Sequence, residues 1–308
     1  MLPPWPEPGT SREYLGDYPL GFGPRVPMLL VSPWTRGGYV ASEVFDHTST
    51  IKFLETWATH LGKPFRCPNI SDWRRSIAGD LSSALDFAHP QPGPAVFVDP
   101  LAEQSVSIAA DHMKPRPLSF HPHATISEDR ATGTVTARMT LTGGPKDKAL
   151  SFQVFPDKYQ PFSSTPFTVT ARKTREYTWD AEATDGNYAF SIYSNDGFVR
   201  SFAGRVAPAG TRDGALPRVE VDLLKAKGAK HEARAKLTLH NDGTKPMDYT
   251  LTANDYLGRT QKVTVAHGAK KVVMWPTQEG YYDVVVTVDS DTAWTQRYAG
   301  RIATTTKD

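Results

Sequence analysis

Thr134-Val135-Thr136-Ala137-Arg138-Met139-Thr140-Leu141 alternates polar and apolar side chains without a break. A period of two places Val135, Ala137, Met139 and Leu141 on one face of a strand and the threonines and arginine on the other. Phe167-Thr168-Val169-Thr170-Ala171 repeats the pattern, with turn residues between such runs, which reads as antiparallel β structure.

Working outward, the pattern stops at Ala207-Pro208-Ala209-Gly210-Thr211-Arg212-Asp213-Gly214 and then starts again. Asp185-Gly186-Asn187-Tyr188 returns as Glu279-Gly280-Tyr281-Tyr282, and Phe202-Ala203-Gly204-Arg205-Val206 as Tyr298-Ala299-Gly300-Arg301-Ile302. Asp157-Lys158-Tyr159 corresponds to Asn254-Asp255-Tyr256, and Trp179 to Trp275. Four matches in one order define an internal repeat. The expectation is two tandem immunoglobulin-like β-sandwich domains, 113–208 and 215–304, each of the ~100 residues that fold requires. Trp179 and Trp275 belong in the two cores. Gly204 and Gly300 mark a bulge or a close backbone approach near the end of each last strand. Phe202 and Tyr298 then point inward, and Arg205 and Arg301 to the opposite or rim-facing side.

Upstream the signals change. Val26-Pro27-Met28-Leu29-Leu30-Val31-Ser32 reads as a strand buried on both faces of a parallel sheet. Ile51, Leu54, Trp57, Ala58 and Leu61 recur at helical spacing, with Thr48 or Ser49 to cap the start and Gly62 to end the helix. A second, shorter helix is expected from Asp80, with Leu81, Ala84, Leu85 and Ala88 on one face. One strand and two helices cannot complete a doubly wound sheet, so residues 1–112 read as part of a larger α/β domain that leaves apolar surface exposed. Proline-rich linkers follow at Pro90-Gln91-Pro92-Gly93-Pro94 and Lys114-Pro115-Arg116-Pro117.

Composition excludes several functions. The 308 residues carry a formal charge of +2, with Lys and Arg dispersed, so no basic block addresses nucleic acid. The single cysteine, Cys67, rules out an intrachain disulfide. No apolar run approaches the ~20 residues of a membrane helix. The first residues lack the charged and apolar regions of a signal peptide.

One constellation upstream suggests chemistry. Asp46-His47-Thr48-Ser49 sits at a helix start, where free N–H groups favour a phosphate or carboxylate. Asp46 and His47 there can orient water, shuttle a proton or bind metal. The plainer alternative is that Asp46 and Thr48 cap the helix while His47 packs. His121 and His123 flank a proline at a strand entry and lack a third ligand of usual spacing, so they read as surface histidines.

Gly21-Phe22-Gly23-Pro24-Arg25-Val26-Pro27-Met28, Val31-Ser32-Pro33-Trp34-Thr35-Arg36-Gly37-Gly38-Tyr39-Val40 and Val44-Phe45-Asp46-His47-Thr48-Ser49 closely resemble the end of the catalytic domain of bacterial phosphocholine-specific phospholipases C. Trp73-Arg74-Arg75 and Gly79 to Phe87 resemble the segment that follows, and the repeated β domains resemble the paired C-terminal domains of those enzymes. The resemblance implies an alkaline-phosphatase-like α/β fold, shared with acid phosphatases of the phosphoesterase family, for the first segment. It implies hydrolysis of phosphatidylcholine or sphingomyelin, and an extracellular or periplasmic location. Asp46 and His47 would lie at the edge of the phosphate site, with Trp34 and Arg36 on a nearby loop. Trp34 and Tyr39 are the local candidates for an aromatic contact to choline, or packing residues.

The family's upstream Glu-Asn motif, its Asp-Glu motif and its twin-arginine signal have no counterpart here. The chain is therefore expected to be a C-terminal portion, inactive alone. Most ligands of any divalent metal in the complete enzyme would lie outside it, and no metal ligand is assigned within it. A missing N-terminal catalytic segment and a phosphocholine lipid or membrane surface are the expected partners. The alternative is a free-standing tandem β-sandwich module that binds lipid, glycan or protein.

Overall fold

The computed structural model describes residues 2–4, 11–24, 26–36, 39–91, 93, 114–116, 120–144, 147–171, 173–208, 216–225 and 233–302. They fall into two compact units, Phe22–Leu118, and Met1–Gly21 together with Ser119–Asp308.

The larger unit opens with a two-residue ladder, β1 (Tyr14–Leu15) on β2 (Tyr18–Pro19). Its body is β structure in which apolar alternation is read directly as burial. In β6 (Thr134–Gly143), Val135, Ala137, Met139 and Leu141 are buried in alternation. β6 lies between β5 (Phe120–Asp129) and β9 (Arg175–Asp180) in a three-stranded sheet. Facing strands are β7 (Ala149–Pro156), β8 (Thr165–Thr170), β10 (Asn187–Tyr193) and β11 (Val199–Arg205), in the order β8-β7-β10-β11.

The second copy repeats this order strand for strand. β12 (Pro217–Leu224), β13 (Arg234–Asn241) and β16 (Lys270–Trp275) form the three-stranded sheet. β14 (Met247–Asp255), β15 (Gln261–Val265), β17 (Tyr281–Val288) and β18 (Thr295–Arg301) run in the order β15-β14-β17-β18. Trp179 and Trp275 are fully buried, and so are Phe202 and Tyr298 to within a few per cent. Trp179 stacks on Phe190, which meets Phe202 in turn.

The two glycines mark close approaches. Gly204 is paired with Tyr188 and Gly300 with Tyr282 across the last two strands of each copy, and a side chain at Gly204 would press on the Tyr188 ring. Arg205 is exposed, whereas the Arg301 side chain is buried, 3.6 Å from Asp196.

The four-stranded sheets are continuous. β11 pairs antiparallel with β18, so the two copies share one eight-stranded sheet, and the edges that would otherwise be open satisfy each other. Arg200 seals this seam from inside. Its guanidinium is wholly buried, lies over the Phe198 ring, and donates to Val199 O (2.8 Å), Ala299 O (2.7 Å) and Tyr282 Oη (2.9 Å).

The smaller unit departs from the sequence reading in three places. Val26–Val31 forms no strand, and Leu29 is 85% exposed. An apolar run becomes a doubly buried strand only where neighbours supply both a ladder and a cover, and no described residue does so here.

Helix α1 (His47–His60) starts ahead of the expected caps Thr48 and Ser49, which lie within its first turn, and ends before Gly62 as expected. Asp46 caps its start and Gly62, at φ +72°, closes a Schellman turn in which Gly62 N donates to Thr59 O and Lys63 N to Ala58 O. The apolar side is outward, with Ile51, Leu54 and Leu61 exposed and Trp57 56% exposed, while Ser49 and Lys52 are buried. The helix expected from Asp80 is only a single 3₁₀ turn, Ser82–Ala84, and the second helix is instead α2 (Asp72–Ile77), capped by Ser71. Two short strands, β3 (Tyr39–Val40) and β4 (Lys114–Pro115), pair in parallel.

Candidate functional site

Asp46 is held by three groups. Its Oδ1 accepts from Thr48 N (2.9 Å) and Thr48 Oγ1 (2.6 Å), and its Oδ2 accepts from Arg74 Nη1 (2.6 Å). Asp46 N in turn donates to Ser49 Oγ (3.0 Å), closing a capping box. Both members of the Asp46–Arg74 pair are largely shielded, and Arg74 also lies 4.7 Å from the centre of the Phe22 ring. His47 is the first helical residue and its side chain is exposed. The site thus presents an imidazole, a helix start and a fixed guanidinium together.

The inward face of α1 is polar because it docks on α2 by charge. Lys52 Nζ donates to Arg75 O (3.0 Å) and to Ala78 O, capping the end of α2 with an ammonium. Glu55 takes two hydrogen bonds from Arg75, at 2.7 and 2.8 Å, and accepts from Cys67 N at 2.7 Å. The Arg75 hydrogen bonds hold the Glu55 carboxyl below its ordinary value, against the opposing effect of burial. Thr56 Oγ1 donates to Asp80 Oδ2 (3.0 Å).

The remaining sequence candidates form a second cluster. Trp34 packs on Phe87 at 5.5 Å, and its carbonyl accepts from Asp86 N. Arg116 lies 4.1 Å above the Tyr39 ring and 3.6 Å from Asp86 Oδ2. Arg36 reaches the carbonyls of Gln91 (3.5 Å) and Gly93 (3.1 Å). Trp34 and Tyr39 are therefore linked through Asp86 and Arg116, with Trp34 and Tyr39 each still more than a third exposed. Among the described residues, no three His, Cys, Asp or Glu side chains converge as a metal set. The described donors do not by themselves make up a metal set.

Sequence reasoning missed Arg74, Arg75, Asp86 and Arg116. Trp73-Arg74-Arg75 was legible as a segment, but its partners Asp46 and Glu55 lie 28 and 20 residues away. His121 and His123 enter β5 partly buried. Burial holds both imidazoles below the usual histidine value, and the Arg200 charge adds to this at His123.

Comparison with known proteins gives two family matches. Residues 1–58 match the Phosphoesterase family, and residues 115–205 and 218–301 each match the bacterial phospholipase C C-terminal domain. The chain belongs to the bacterial phospholipase C family. Among curated members, it is 30% identical to a non-hemolytic phospholipase C of Pseudomonas aeruginosa, over 93% of this chain and 43% of that protein. It is 28% identical to the hemolytic phospholipase C of the same organism, over 98% of this chain and 47% of the relative. Phospholipase C B of Mycobacterium tuberculosis is 37% identical over 31% of this chain and 20% of its own length. The chain thus spans less than half the length of the two Pseudomonas phospholipases C, and the two repeated matches coincide with the two β-sandwich copies.

Proposed function

We propose that the chain is the C-terminal portion of a secreted phospholipase C that releases phosphocholine from phosphatidylcholine or sphingomyelin. Residues 1–112 close an alkaline-phosphatase-like catalytic domain, and 113–208 and 215–304 are its immunoglobulin-like C-terminal domains. The observation that carries this reading is the outward apolar side of α1. Ile51, Leu54, Trp57 and Leu61, with Val26, Met28, Leu29 and Val31, are large apolar side chains left in water, which a finished enzyme domain covers. The catalytic segment that precedes this region in the family supplies that cover.

In the complete site, His47 meets the phosphate or moves a proton to or from it, and Asp46 fixes the helix start and Arg74 beside it. Trp34 and Tyr39 offer aromatic surface to the quaternary ammonium, with Arg36 shaping the loop that carries them. The nucleophile and the charges that stabilise the transition state come from the preceding segment. A divalent metal, where the complete enzyme uses one, takes most of its ligands there too.

The test is phosphocholine release by the complete enzyme carrying His47→Ala. Turnover should fall at least tenfold with the melting temperature unchanged. Full turnover would remove His47 from the site.

A further inference from the structure

Each β-sandwich copy carries a loop after its third strand that leaves apolar side chains in solvent. In the first copy, Tyr159 (φ +68°) and Phe162 follow β7, and Phe162 is 83% exposed although its ring stacks on Phe155 at 5.6 Å. Tyr193 meets the same Phe155 edge-on at 5.7 Å. In the second copy, Tyr256 (φ +62°) and Leu257 follow β14, Leu257 is 51% exposed, and Tyr256 stacks on Tyr281 at 5.4 Å. A bulky residue in the left-handed region is uncommon, and its recurrence at equivalent positions shows that the loop shape is a shared feature of the repeat.

The seam between the copies fixes where these loops point. Ser201, one residue before Phe202, lies opposite Arg297, one residue before Tyr298. Equivalent residues that face each other in an antiparallel pair are related by a two-fold axis normal to the sheet, and such an axis keeps both copies' outer faces on the same side. Phe155 is paired with Ser191, and Ser191 with Ser201, so Phe155 shares the outer face. Tyr281 lies two residues from Asp283, which is paired with Ala299 of the same face. Both stacks therefore stand on one side of the eight-stranded sheet, away from the three-stranded sheets.

We propose that this outer face rests on a phospholipid bilayer, with Phe162 and Leu257 as paired anchors at the interface and Tyr159 and Tyr256 at headgroup level. Two features favour lipid over sugar. Leucine offers no flat ring for stacking, and the exposed tips carry no cluster of amide donors. Charge balance points to a zwitterionic surface. Asp157 offsets Lys158 in one loop, Asp255 offsets Arg259 in the other, and Arg297 is neutralised by Asp283 between them (2.6 and 2.8 Å). The proposal rests on the phospholipase reading for its choice of membrane, and its test requires no hydrolysis.

The experiment is cosedimentation of the full chain with phosphatidylcholine vesicles, compared with the Phe162→Ser/Leu257→Ser double variant, plus the tryptophan emission added by a separate Phe162→Trp substitution. The substituted residues are exposed, so melting temperatures should match. Wild type is expected to sediment with vesicles equally at low and high salt, the double variant to bind about tenfold more weakly or worse, and the added emission of the Phe162→Trp variant to shift to the blue when vesicles are present. Equal sedimentation of wild type and double variant would place attachment elsewhere, for example on α1, and overturn the proposal. Failure of wild type to sediment, or binding restricted to anionic vesicles and lost in salt, would also overturn it. Vesicle binding with a complete enzyme inactive on phosphocholine lipids would instead contradict the catalytic reading alone.

Discussion

Ser201 and Arg297 face each other across the β11–β18 ladder, and they are the same position of the repeat. The internal symmetry of the chain is therefore also the symmetry of its assembly, with the last strand of each copy as the shared edge. Arg200, next to that axis, is wholly buried.

Arg200→Ala should destabilise the larger unit by about 3 kcal/mol, because it removes the hydrogen bonds to Val199 O, Ala299 O and Tyr282 Oη and opens a cavity. Arg200→Met fills most of that space and should cost less than half as much. Chemical denaturation of both variants decides the point, and equal loss would mean that volume is irrelevant there.

The two equivalent turn glycines should respond unequally. A methyl group at Gly280 (φ +86°) would run into the Ile302 carbonyl, whereas at Gly186 (φ +83°) the nearest atoms are 3.3 to 3.4 Å away. Both substitutions strain the backbone. Gly280→Ala should cost about 2 kcal/mol more than Gly186→Ala, read as the difference in unfolding free energy.

Acid should loosen the β-sandwich unit through His123. Its folded value lies below that of the unfolded chain, so the stability it contributes is present above the ordinary histidine value near 6.5 and is lost as pH falls through the depressed folded value. His121 acts in the same direction. A double variant, His121→Gln/His123→Gln, should flatten the stability profile between about pH 7 and pH 5. A profile as steep as wild type would exclude both histidines.

Asp46 separates capping from charge. Asp46→Asn keeps a good cap, whereas Asp46→Ala loses the cap and the shielded Arg74 partner together. The alanine variant should lose about 1 to 2 kcal/mol and the asparagine variant well under 1. Thermal melts of the two variants check this. Equal losses would show that the Arg74 ion pair outweighs the cap.

What was legible in the sequence follows from where each element finds its partners. Thr134–Leu141 shows its burial because the facing strands lie in the same repeat. The ends of α1 were legible in Asp46 and Gly62, which act within one turn. The direction of its apolar side was not, since Ile51 and Trp57 announce that a partner exists without saying where. α2 escaped notice because six residues hold only Trp73 and Ile77 as buried apolar positions, too few to set a period. The β11–β18 seam was hidden because a strand reads alike at a free edge and at a paired one. The Asp46–Arg74 and Glu55–Arg75 pairs are tertiary contacts with no local spacing to betray them.

We propose that this chain supplies the rim of a phospholipase C site and that a preceding segment supplies the chemistry itself. The most direct measurement is phosphocholine release from phosphatidylcholine by the purified 308-residue chain. The account predicts no release above the enzyme-free blank. Turnover by the chain alone, abolished by His47→Ala, would contradict it.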